Sequence, residues 1–186
     1  MSKQVLFVQG GGEGTHDAWD SKLVESLLGE LGAEYHIRYP AMPNKADPRY
    51  AAWRAALEVE LAALEDGALL VGHSIGATFL IHALAELGPK EKFSGVFLVA
   101  APFVGEGGWP SDEITTRTDL AVGLPQDLPV FLYHGEVDTI VPFSHVDLYA
   151  EAIPQAQVRR LPGRDHQINN DLTQVADDIR GICAGS

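Results

Sequence analysis

A serine flanked by glycines stands where an apolar run meets a helical pattern. Residues 72–76 read Gly-His-Ser-Ile-Gly, directly after the apolar run at residues 68–71 and directly before a long apolar stretch. Because the chain contains 19 glycines, a G-x-S-x-G string by itself carries little weight. Between a buried strand and a helix it is specific, since the serine then occupies a sharp turn that tolerates only small neighbours. This context predicts that the Ser74 hydroxyl is a nucleophile, at a helix N-terminus that favours developing negative charge.

Two further motifs follow the serine along the chain. Residues 134–142 read His-Gly-Glu-Val-Asp-Thr-Ile-Val-Pro after a predicted strand, and residues 161–166 read Leu-Pro-Gly-Arg-Asp-His after the last predicted strand. Together with the serine motif they resemble the α/β-hydrolase fold superfamily over nearly the whole chain. The size is similar to that of the compact serine hydrolases of the retinoblastoma-binding-protein type, which lack a large cap.

The resemblance implies a catalytic triad and a mechanism. Nucleophile, acid and base follow in the order Ser, Asp, His in this superfamily, which assigns Ser74, Asp138 and His166. In the implied two-step acyl transfer, His166 takes the serine proton, Asp138 orients the imidazole, and water then releases the acyl-enzyme. We expect Asp138 rather than its neighbours Glu136 or Asp165 to be the acid. A carboxylate next to the histidine in an extended loop tends to point away from it.

The glycine-rich loop after the first predicted strand begins at Gly10. It fits neither a dinucleotide-binding nor a phosphate-binding template, because its glycines have the wrong spacing and no Gly-Lys-Ser or Gly-Lys-Thr ending follows. In the resembling superfamily this loop supplies an oxyanion donor after a His-Gly pair, and here Gln9 takes the place of the histidine. The resemblance implies an oxyanion hole made by the N–H groups of Gly11 and Ile75. Gly10 and Gly12 remain alternative donors, and a plain tight turn remains an alternative interpretation.

The longest irregular stretch runs from residue 103 to residue 128 and is rich in Gly, Pro and Asp. A connection of this length in a compact domain is usually functional. We expect a short lid-like loop here, with a surface connection as the alternative. The stretch is too short for a large helical cap, so we expect open access and room for only a small acyl group. Phe103, Trp109 and Phe143 are predicted to be in loops near the same strand ends, where they could line an apolar substrate pocket or pack.

Short apolar runs alternate with segments of helical period, which is typical of a parallel sheet covered by helices on both faces. The runs are mostly continuous and apolar, as expected for strands buried on both sides. We predict an α/β fold, a three-layer αβα sandwich with a mostly parallel sheet and a minimal cap, in a single domain over residues 1–186. The six predicted strands lie at 4–9, 34–38, 68–71, 95–99, 130–133 and 157–161.

Apolar spacing predicts the helices that flank this sheet. The first has a buried stripe that recurs every four residues and comprises Trp19, Leu23, Leu27 and Leu31. A second helix opens at Pro48, because proline is favoured at the first helical position. A third is nearly all apolar, spans residues 75–87 and ends at Gly88-Pro89.

Two more helices are expected near the C-terminus. Ser144 with Asp147 three residues later fits a capping box for a short helix. Asn169 or Asn170 is expected to cap the last helix. The single cysteine, Cys183, lies in that last helical pattern and excludes an internal disulfide.

Composition limits the classes of partner. The formal net charge is −13, with 13 Lys and Arg against 26 Asp and Glu, which makes nucleic acid and anionic membranes poor candidates. The N-terminus has no signal-peptide pattern. No apolar run approaches the roughly 18 residues that a membrane span needs. A cytoplasmic location is therefore expected.

The predicted function is hydrolysis of a small carboxylic ester, with a small-molecule acyl substrate, no cofactor and no metal. No metal-binding pattern of histidines, cysteines or acidic residues is recognised. The alternatives are a triad-bearing enzyme that catalyses perhydrolysis or carbon–carbon cleavage, and a non-catalytic interaction protein. No oligomeric state is predicted. The remaining histidines are interpreted as structural or surface residues: His16, His36, His73, His82, His134 and His145.

Overall fold

A computed structural model describes residues 2–88, 92–115 and 120–184. Its strands are β1 (Lys3–Val8), β2 (Tyr35–Arg38), β3 (Leu69–His73), β4 (Gly95–Val99), β5 (Val130–Gly135) and β6 (Gln157–Leu161). They form one six-stranded sheet in the order β2-β1-β3-β4-β5-β6. Every strand pair is parallel. The predicted α/β fold is confirmed, and each of the six expected strands is present.

Some strand ends differ from the prediction. β1 stops at Val8, so that Gln9 belongs to the following loop. β3 and β5 continue farther than expected, to His73 and Gly135. Because β3 continues to His73, the sheet leads directly into the turn at Ser74.

The described helices are α1 (Asp20–Leu31), α2 (Tyr50–Ala62), α3 (Ile75–Leu87), α4 (Leu120–Gly123), α5 (His145–Ala152) and α6 (Thr173–Ala184). Alternate side chains of each strand point to opposite faces of the sheet. One hydrophobic cluster joins the sheet to α2, α3, α4 and α5, and a second joins its other face to α1 and α6. Within the described ranges, no helix is long and apolar enough to cross a membrane.

The direction of the chain through the sheet reverses next to β1. From β1 the chain passes to β2 on one side and then to β3 on the other. In open parallel sheets a crevice forms at the carboxyl ends of the strands at such a point, and ligands bind there. The loop that begins at Gly10 and the turn at Ser74 both follow strands that flank this point.

The start of α1 corrects the sequence prediction. A π-helical turn spans Thr15–Trp19, and α1 begins only at Asp20. The wider winding of this turn changes the register, so that Trp19 is 55% exposed while Asp20 is fully buried. The placement of Trp19 on the buried stripe is therefore wrong. The other members of the stripe are buried as predicted: Leu23, Leu27 and Leu31.

Two other helix starts also depart from the predictions. α2 begins at Tyr50, two residues after Pro48, because the residue between them has an extended backbone. Ser144 makes no capping hydrogen bond at the start of α5. Asp147 is instead bonded to Arg160, with 2.6 Å between Oδ1 and Nη2. The predicted capping box is therefore wrong.

The last helix is capped by a different residue from those predicted. Asn169 and Asn170 belong to a 3₁₀ turn and have positive φ values. The Asp171 carboxylate accepts the backbone N–H of Thr173 at 3.0 Å and so performs the cap. The predicted C-terminal glycine of α3 is confirmed, because Gly88 has a left-handed backbone, whereas Pro89 lies outside the described residues.

The described parts of the connection from β4 to β5 pack against the molecule. A backbone bridge joins Val104 and Trp109. Farther along, Leu120 of α4 is fully buried in the cluster that contains α2 and α3. Residues 116–119, within the predicted lid-like loop at 103–128, lie outside the described residues. The role of this connection as a lid stays a prediction.

Candidate active site

Ser74 lies in the tight turn between β3 and α3. Its backbone has a φ of 53° and a ψ of −132°, a strained conformation for a residue other than glycine. Two glycines make this turn sterically feasible. A Cβ at Gly72 would lie 2.6 Å from Ala77 Cα, and one at Gly76 would lie 1.9 Å from the carbonyl oxygen of Gln9. The turn therefore has the geometry of a nucleophile elbow, in which the serine side chain stands at the end of the strand.

The three residues of the predicted triad lie in a line, with His166 in contact with the other two. His166 Nε2 lies 3.0 Å from Ser74 Oγ. On the other side of the same ring, Nδ1 lies 2.8 Å from Asp138 Oδ2. With a proton on Nδ1 directed at the carboxylate, Nε2 is free to accept the serine proton. Residues that are 92 and 28 positions apart in the chain thus form one continuous line of hydrogen bonds.

Asp138 is held as a buried carboxylate. Its side chain has no solvent exposure, and its Oδ1 accepts the backbone N–H groups of Ile140 at 2.8 Å and Val141 at 2.9 Å. His134 Nε2 lies 3.3 Å from Oδ2. Burial raises the pKa of Asp138, but the hydrogen bonds from His134, His166 and the Val141 amide outweigh it and hold this pKa well below its usual range. Asp138 is therefore ionised at neutral pH.

The contact between His134 and Asp138 was not anticipated from the sequence. His134, for which the sequence indicates a structural or surface role, is a buried residue of β5. Its Nε2 also lies 3.0 Å from the carbonyl oxygen of Val141. The sequence feature that could have indicated this contact is the position of His134, four residues before Asp138 in the same loop motif.

The two rival carboxylates are directed elsewhere. Asp165 is exposed, and its Oδ1 accepts the backbone N–H of Asn169 at 2.8 Å. Asn169 returns the interaction, because its Oδ1 accepts the Asp165 N–H at 3.0 Å. Glu136 is exposed on the loop that carries Asp138. Of the three carboxylates considered from the sequence, Asp138 is the one bonded to His166.

The backbone N–H groups near Ser74 differ in whether they already donate a hydrogen bond within the protein. Gly10 N–H donates to Asp20 Oδ2 at 2.7 Å, and Gly12 N–H donates to the carbonyl oxygen of Lys45 at 2.7 Å. Gly11 N–H has no acceptor among the residues that the structure describes. Ile75 is the first residue of α3, where a backbone N–H has no partner within the helix. Of the three loop glycines, Gly11 is therefore the one whose amide is available to a ligand.

Gly11 also lies beside the second predicted donor. A Cβ built on Gly11 would be 2.9 Å from Cγ2 of Ile75. Gln9, which stands where the resembling superfamily has histidine, has a structural role. Its Oε1 accepts the N–H of Met42 at 3.0 Å, and its Nε2 donates to the carbonyl oxygen of Gly10 at 3.1 Å. The buried Gln9 side chain therefore fixes the glycine loop against the chain that follows β2.

A second histidine–aspartate pair lies next to the first. His73, at the end of β3, places Nδ1 3.0 Å from Asp20 Oδ2. The ring centroids of His73 and His166 are 5.0 Å apart. The sequence reading did not identify Asp20, although its spacing from Leu27 and Leu31 places it on the buried face of α1. Both side chains of this second pair are buried.

The three predicted substrate-contacting aromatics have different environments. Phe103 is only 6% exposed and packs edge-on against Tyr149, with 5.1 Å between ring centroids. Phe143 is partly buried and packs edge-on against His134 at 5.7 Å. Trp109 is 36% exposed and packs against His145 at 5.8 Å. Trp109 therefore offers the largest accessible ring surface of the three.

His145 anchors the first residue of the same connection. Its Nδ1 accepts the backbone N–H of Phe103 at 2.8 Å. Burial and the nearby His134 lower the pKa of His145, which keeps the ring neutral and able to accept this bond. Among the described residues, no group of three or more His, Cys, Asp or Glu side chains is arranged to hold a metal ion.

Comparison with known protein families shows which family the chain belongs to. The family described as serine hydrolase matches residues 5–172. The chain belongs to the serine hydrolase family. It is therefore an enzyme that acts as a serine hydrolase, and the alternative of a non-catalytic interaction protein is not supported. No curated protein sequence matches the chain.

Solved structures share its fold. The ydeN gene product from B. subtilis is 20% identical, with a TM-score of 0.76 over 98% of this chain and 100% of that chain. A YdeN-like hydrolase from Pectobacterium atrosepticum is 17% identical, with a TM-score of 0.68 over 97% of this chain and 92% of that one. The meta-cleavage product hydrolase CumD from Pseudomonas fluorescens is 15% identical, with a TM-score of 0.73 over 97% and 89% of the two chains. These similarities establish the α/β-hydrolase fold.

Proposed function

We propose that this serine hydrolase cleaves small carboxylic esters, with Ser74, His166 and Asp138 as its catalytic triad. The observation that carries the proposal is the continuous line of hydrogen bonds from Ser74 Oγ through the His166 ring to Asp138. The buried, ionised Asp138 fixes the ring tautomer in which Nε2 faces the serine. The strained turn holds Ser74 at the end of β3, directly before Ile75, and Gly11 lies against the Ile75 side chain.

Acylation begins when Ser74 Oγ attacks the ester carbonyl carbon and its proton moves to His166 Nε2. Negative charge that develops on the carbonyl oxygen is stabilised by the N–H groups of Gly11 and Ile75 and by the N-terminus of α3. The tetrahedral intermediate then breaks its bond to the alcohol oxygen, which takes the proton from Nε2. The products of this half-reaction are the free alcohol and a Ser74 ester.

Deacylation repeats the same steps with water. His166 Nε2 removes a proton from water as the water oxygen attacks the acyl carbon. The second tetrahedral intermediate expels Ser74 Oγ, which recovers its proton from His166. The carboxylic acid product leaves, and the charge on Asp138 stabilises the imidazolium in both half-reactions.

The proposal of a small acyl group rests on the connection between β4 and β5. In its described part this connection contains one helix, the four-residue α4, and it buries Phe103 and Leu120 in the core rather than lining a channel with them. Of the three predicted substrate-contacting aromatics, Trp109 has the largest exposed fraction, 36%. We therefore place the acyl group against Trp109, in a shallow site.

A fluorophosphonate probe tests the nucleophile directly. The wild-type protein is expected to carry one probe at Ser74, and the Ser74→Ala variant is expected to carry none, because one hydroxyl is activated by His166. Ser144→Ala is the matched control, since Ser144 is an exposed serine at a helix start and makes no capping bond. Mass spectrometry of the labelled peptide measures the outcome. Equal labelling of the wild type and Ser74→Ala would remove Ser74 from the proposal.

A panel of p-nitrophenyl esters tests the substrate class. We expect kcat/KM for the acetate or butyrate ester to exceed that for the palmitate ester by about tenfold or more, because a shallow site binds few additional methylenes. A preference for palmitate would mean that residues 103–128 form a longer channel. Labelling at Ser74 without turnover of any ester would instead favour perhydrolysis or carbon–carbon cleavage.

A further inference from the structure

The buried pair of Asp20 and His73 is not used by the proposed reaction steps. Nδ1 of His73 lies 3.0 Å from both carboxylate oxygens of Asp20. Nε2 of the same ring lies 3.0 Å from the backbone carbonyl oxygen of His166. The side chains are 3% and 0% exposed, so water does not compete with these bonds.

The partners of His73 determine its protonation. A carbonyl oxygen only accepts hydrogen bonds, so Nε2 must carry a proton to bond the His166 carbonyl. Asp20 already accepts N–H groups from Gly10 at 2.7 Å and from Gln167 at 3.3 Å, which favours its ionised form. Nδ1 therefore faces an ionised carboxylate and carries a proton as well. A neutral imidazole has one N–H and could donate to only one of the two acceptors, the Asp20 carboxylate or the His166 carbonyl oxygen.

Electrostatics supports the same assignment. Burial lowers the pKa of His73, but the charge of Asp20 and its hydrogen bond outweigh burial and raise that pKa above its usual value. Burial raises the pKa of Asp20, while the charge and hydrogen bond of His73 and the bond from Gly10 lower it overall. Both shifts favour an imidazolium–carboxylate pair.

Each of the three hydrogen-bond partners of Asp20 is adjacent in the chain to a residue of the proposed catalytic site. Gly10 precedes the oxyanion donor Gly11, His73 precedes the nucleophile Ser74, and Gln167 follows the base His166. Its three partners belong to three separate segments: the loop after β1, the end of β3 and the loop after β6. A single carboxylate thus ties together the segments that must be aligned for acyl transfer.

We propose that Asp20 and His73 form a buried imidazolium–carboxylate ion pair that positions the oxyanion loop, the nucleophile and the base. This inference rests on the proposed function. Both residues are positioning residues, because neither reaches the reacting atoms. Their effect is exerted through the backbone of Gly10 and through the carbonyl of His166.

The first test observes the pair without any substrate. Nitrogen-15 NMR of the histidine rings in the wild-type protein is expected to show both ring nitrogens of His73 protonated at pH 7 and above. The Asp20→Asn variant is expected to show a neutral His73 at the same pH, because the charge that holds the second proton is gone. A neutral His73 ring in the wild type at pH 7 would overturn the proposal, whether or not the variants fold.

The second test separates charge from positioning. His73→Gln retains a side-chain N–H near the position of Nε2 and can still bond the His166 carbonyl. His73→Asn is too short to do so but can still donate to Asp20. Both variants lose the cation. His36→Gln, at an exposed histidine of β2, is the matched control.

The plateau rate of Ser74 labelling by the fluorophosphonate probe, measured where the rate no longer changes with pH, is the readout. It is expected to fall roughly tenfold or more in His73→Asn and less in His73→Gln, because displaced reacting groups lose rate steeply. His36→Gln is expected to match the wild type.

The possible failures are distinguishable. If the wild-type Ser74 is not labelled, the proposed function fails, and the NMR measurement still decides whether the ion pair exists. If both His73 variants retain the wild-type plateau rate, the positioning role is refuted.

Discussion

The two histidine–aspartate pairs of this protein have almost the same contact distance and different environments. His166 and Asp138 are 2.8 Å apart, and the imidazole is 17% exposed. His73 and Asp20 are 3.0 Å apart, and the imidazole is 3% exposed. The larger difference lies in the third partner, the group that Nε2 of each histidine faces. Nε2 of His166 faces the hydroxyl of Ser74, whereas Nε2 of His73 faces a backbone carbonyl oxygen.

The third partner decides what each pair can do. A hydroxyl both donates and accepts, so the His166 ring can take a proton from Ser74 and return it. A carbonyl only accepts, so the proton on Nε2 of His73 has no alternative position. The accessible pair is suited to proton transfer, and the buried pair is suited to holding a fixed charge and a fixed geometry. The same two residue types therefore acquire different roles from one neighbouring atom.

The largest effect is expected when the accessible pair is broken at its acid. Asp138→Asn is expected to lower kcat at least about a hundredfold, because the amide favours the wrong ring tautomer, as in the well-known serine protease case where the loss was about 10⁴. Asp165→Asn is expected to lose less than about tenfold, since Asp165 is bonded to Asn169 within its own exposed loop. Steady-state ester hydrolysis measures both, with circular dichroism as the check on folding.

The reverse ranking of these two variants would contradict the assignment. It would move the acid to Asp165 while leaving Ser74 and His166 in place. Equal, small losses in both variants would mean that neither carboxylate orients His166 during turnover. Either result would remove the contrast between the two pairs, because Asp138 would then also be a fixed, non-catalytic partner.

A smaller effect is expected on the pH dependence of stability when the buried pair is removed. The double variant Asp20→Asn/His73→Gln eliminates both titrating groups without leaving a lone buried charge. The folded-state pKa of His73 is raised, so its contribution to stability is fully present below about pH 6.5 and is lost as pH rises through the folded-state value. The pKa of Asp20 is lowered, so its contribution is present above about pH 4 and lost at lower pH.

These signs define the measurement. The difference in the free energy of unfolding between the wild type and the double variant is expected to be larger at pH 5 than at pH 8. Urea denaturation at the two pH values measures it, and the exposed His36→Gln variant is the control. A difference that does not change with pH would show that His73 is neutral in the folded protein and would refute the ion pair.

Much of the fold and the three residues of the proposed triad were accessible from the sequence. Apolar runs, most of them continuous, predict strands buried on both faces, and the six predicted runs correspond to the six strands. Ser74, Asp138 and His166 each follow a strand within a short local motif. Because the carboxyl ends of parallel strands meet at one edge of a sheet, motifs that are far apart in sequence were expected to converge.

The helix ends and the buried polar contacts were less accessible. The stripe that began at Trp19 failed because a π-helical turn shifts the register before α1 and buries Asp20 in place of Trp19. The capping box at Ser144 failed because Asp147 bonds to Arg160 of β6. In both cases a tertiary contact or a local irregularity outweighed a pattern that depends only on neighbours in sequence.

The sequence by itself determined the sheet, the strained turn at Ser74 and the candidate residues at the strand ends, because each depends on a local pattern of apolar, small or charged residues. Only the tertiary structure showed that a second carboxylate, that of Asp20, pairs with His73. Asp20 and His73 are 53 residues apart, and no local pattern encodes the distance between them. Nor does the sequence show that Nε2 of one histidine meets a hydroxyl and that of the other a carbonyl. Those atoms are brought together by the packing of α1 and of the loop after β6, and they decide which hydrogen bonds each ring makes.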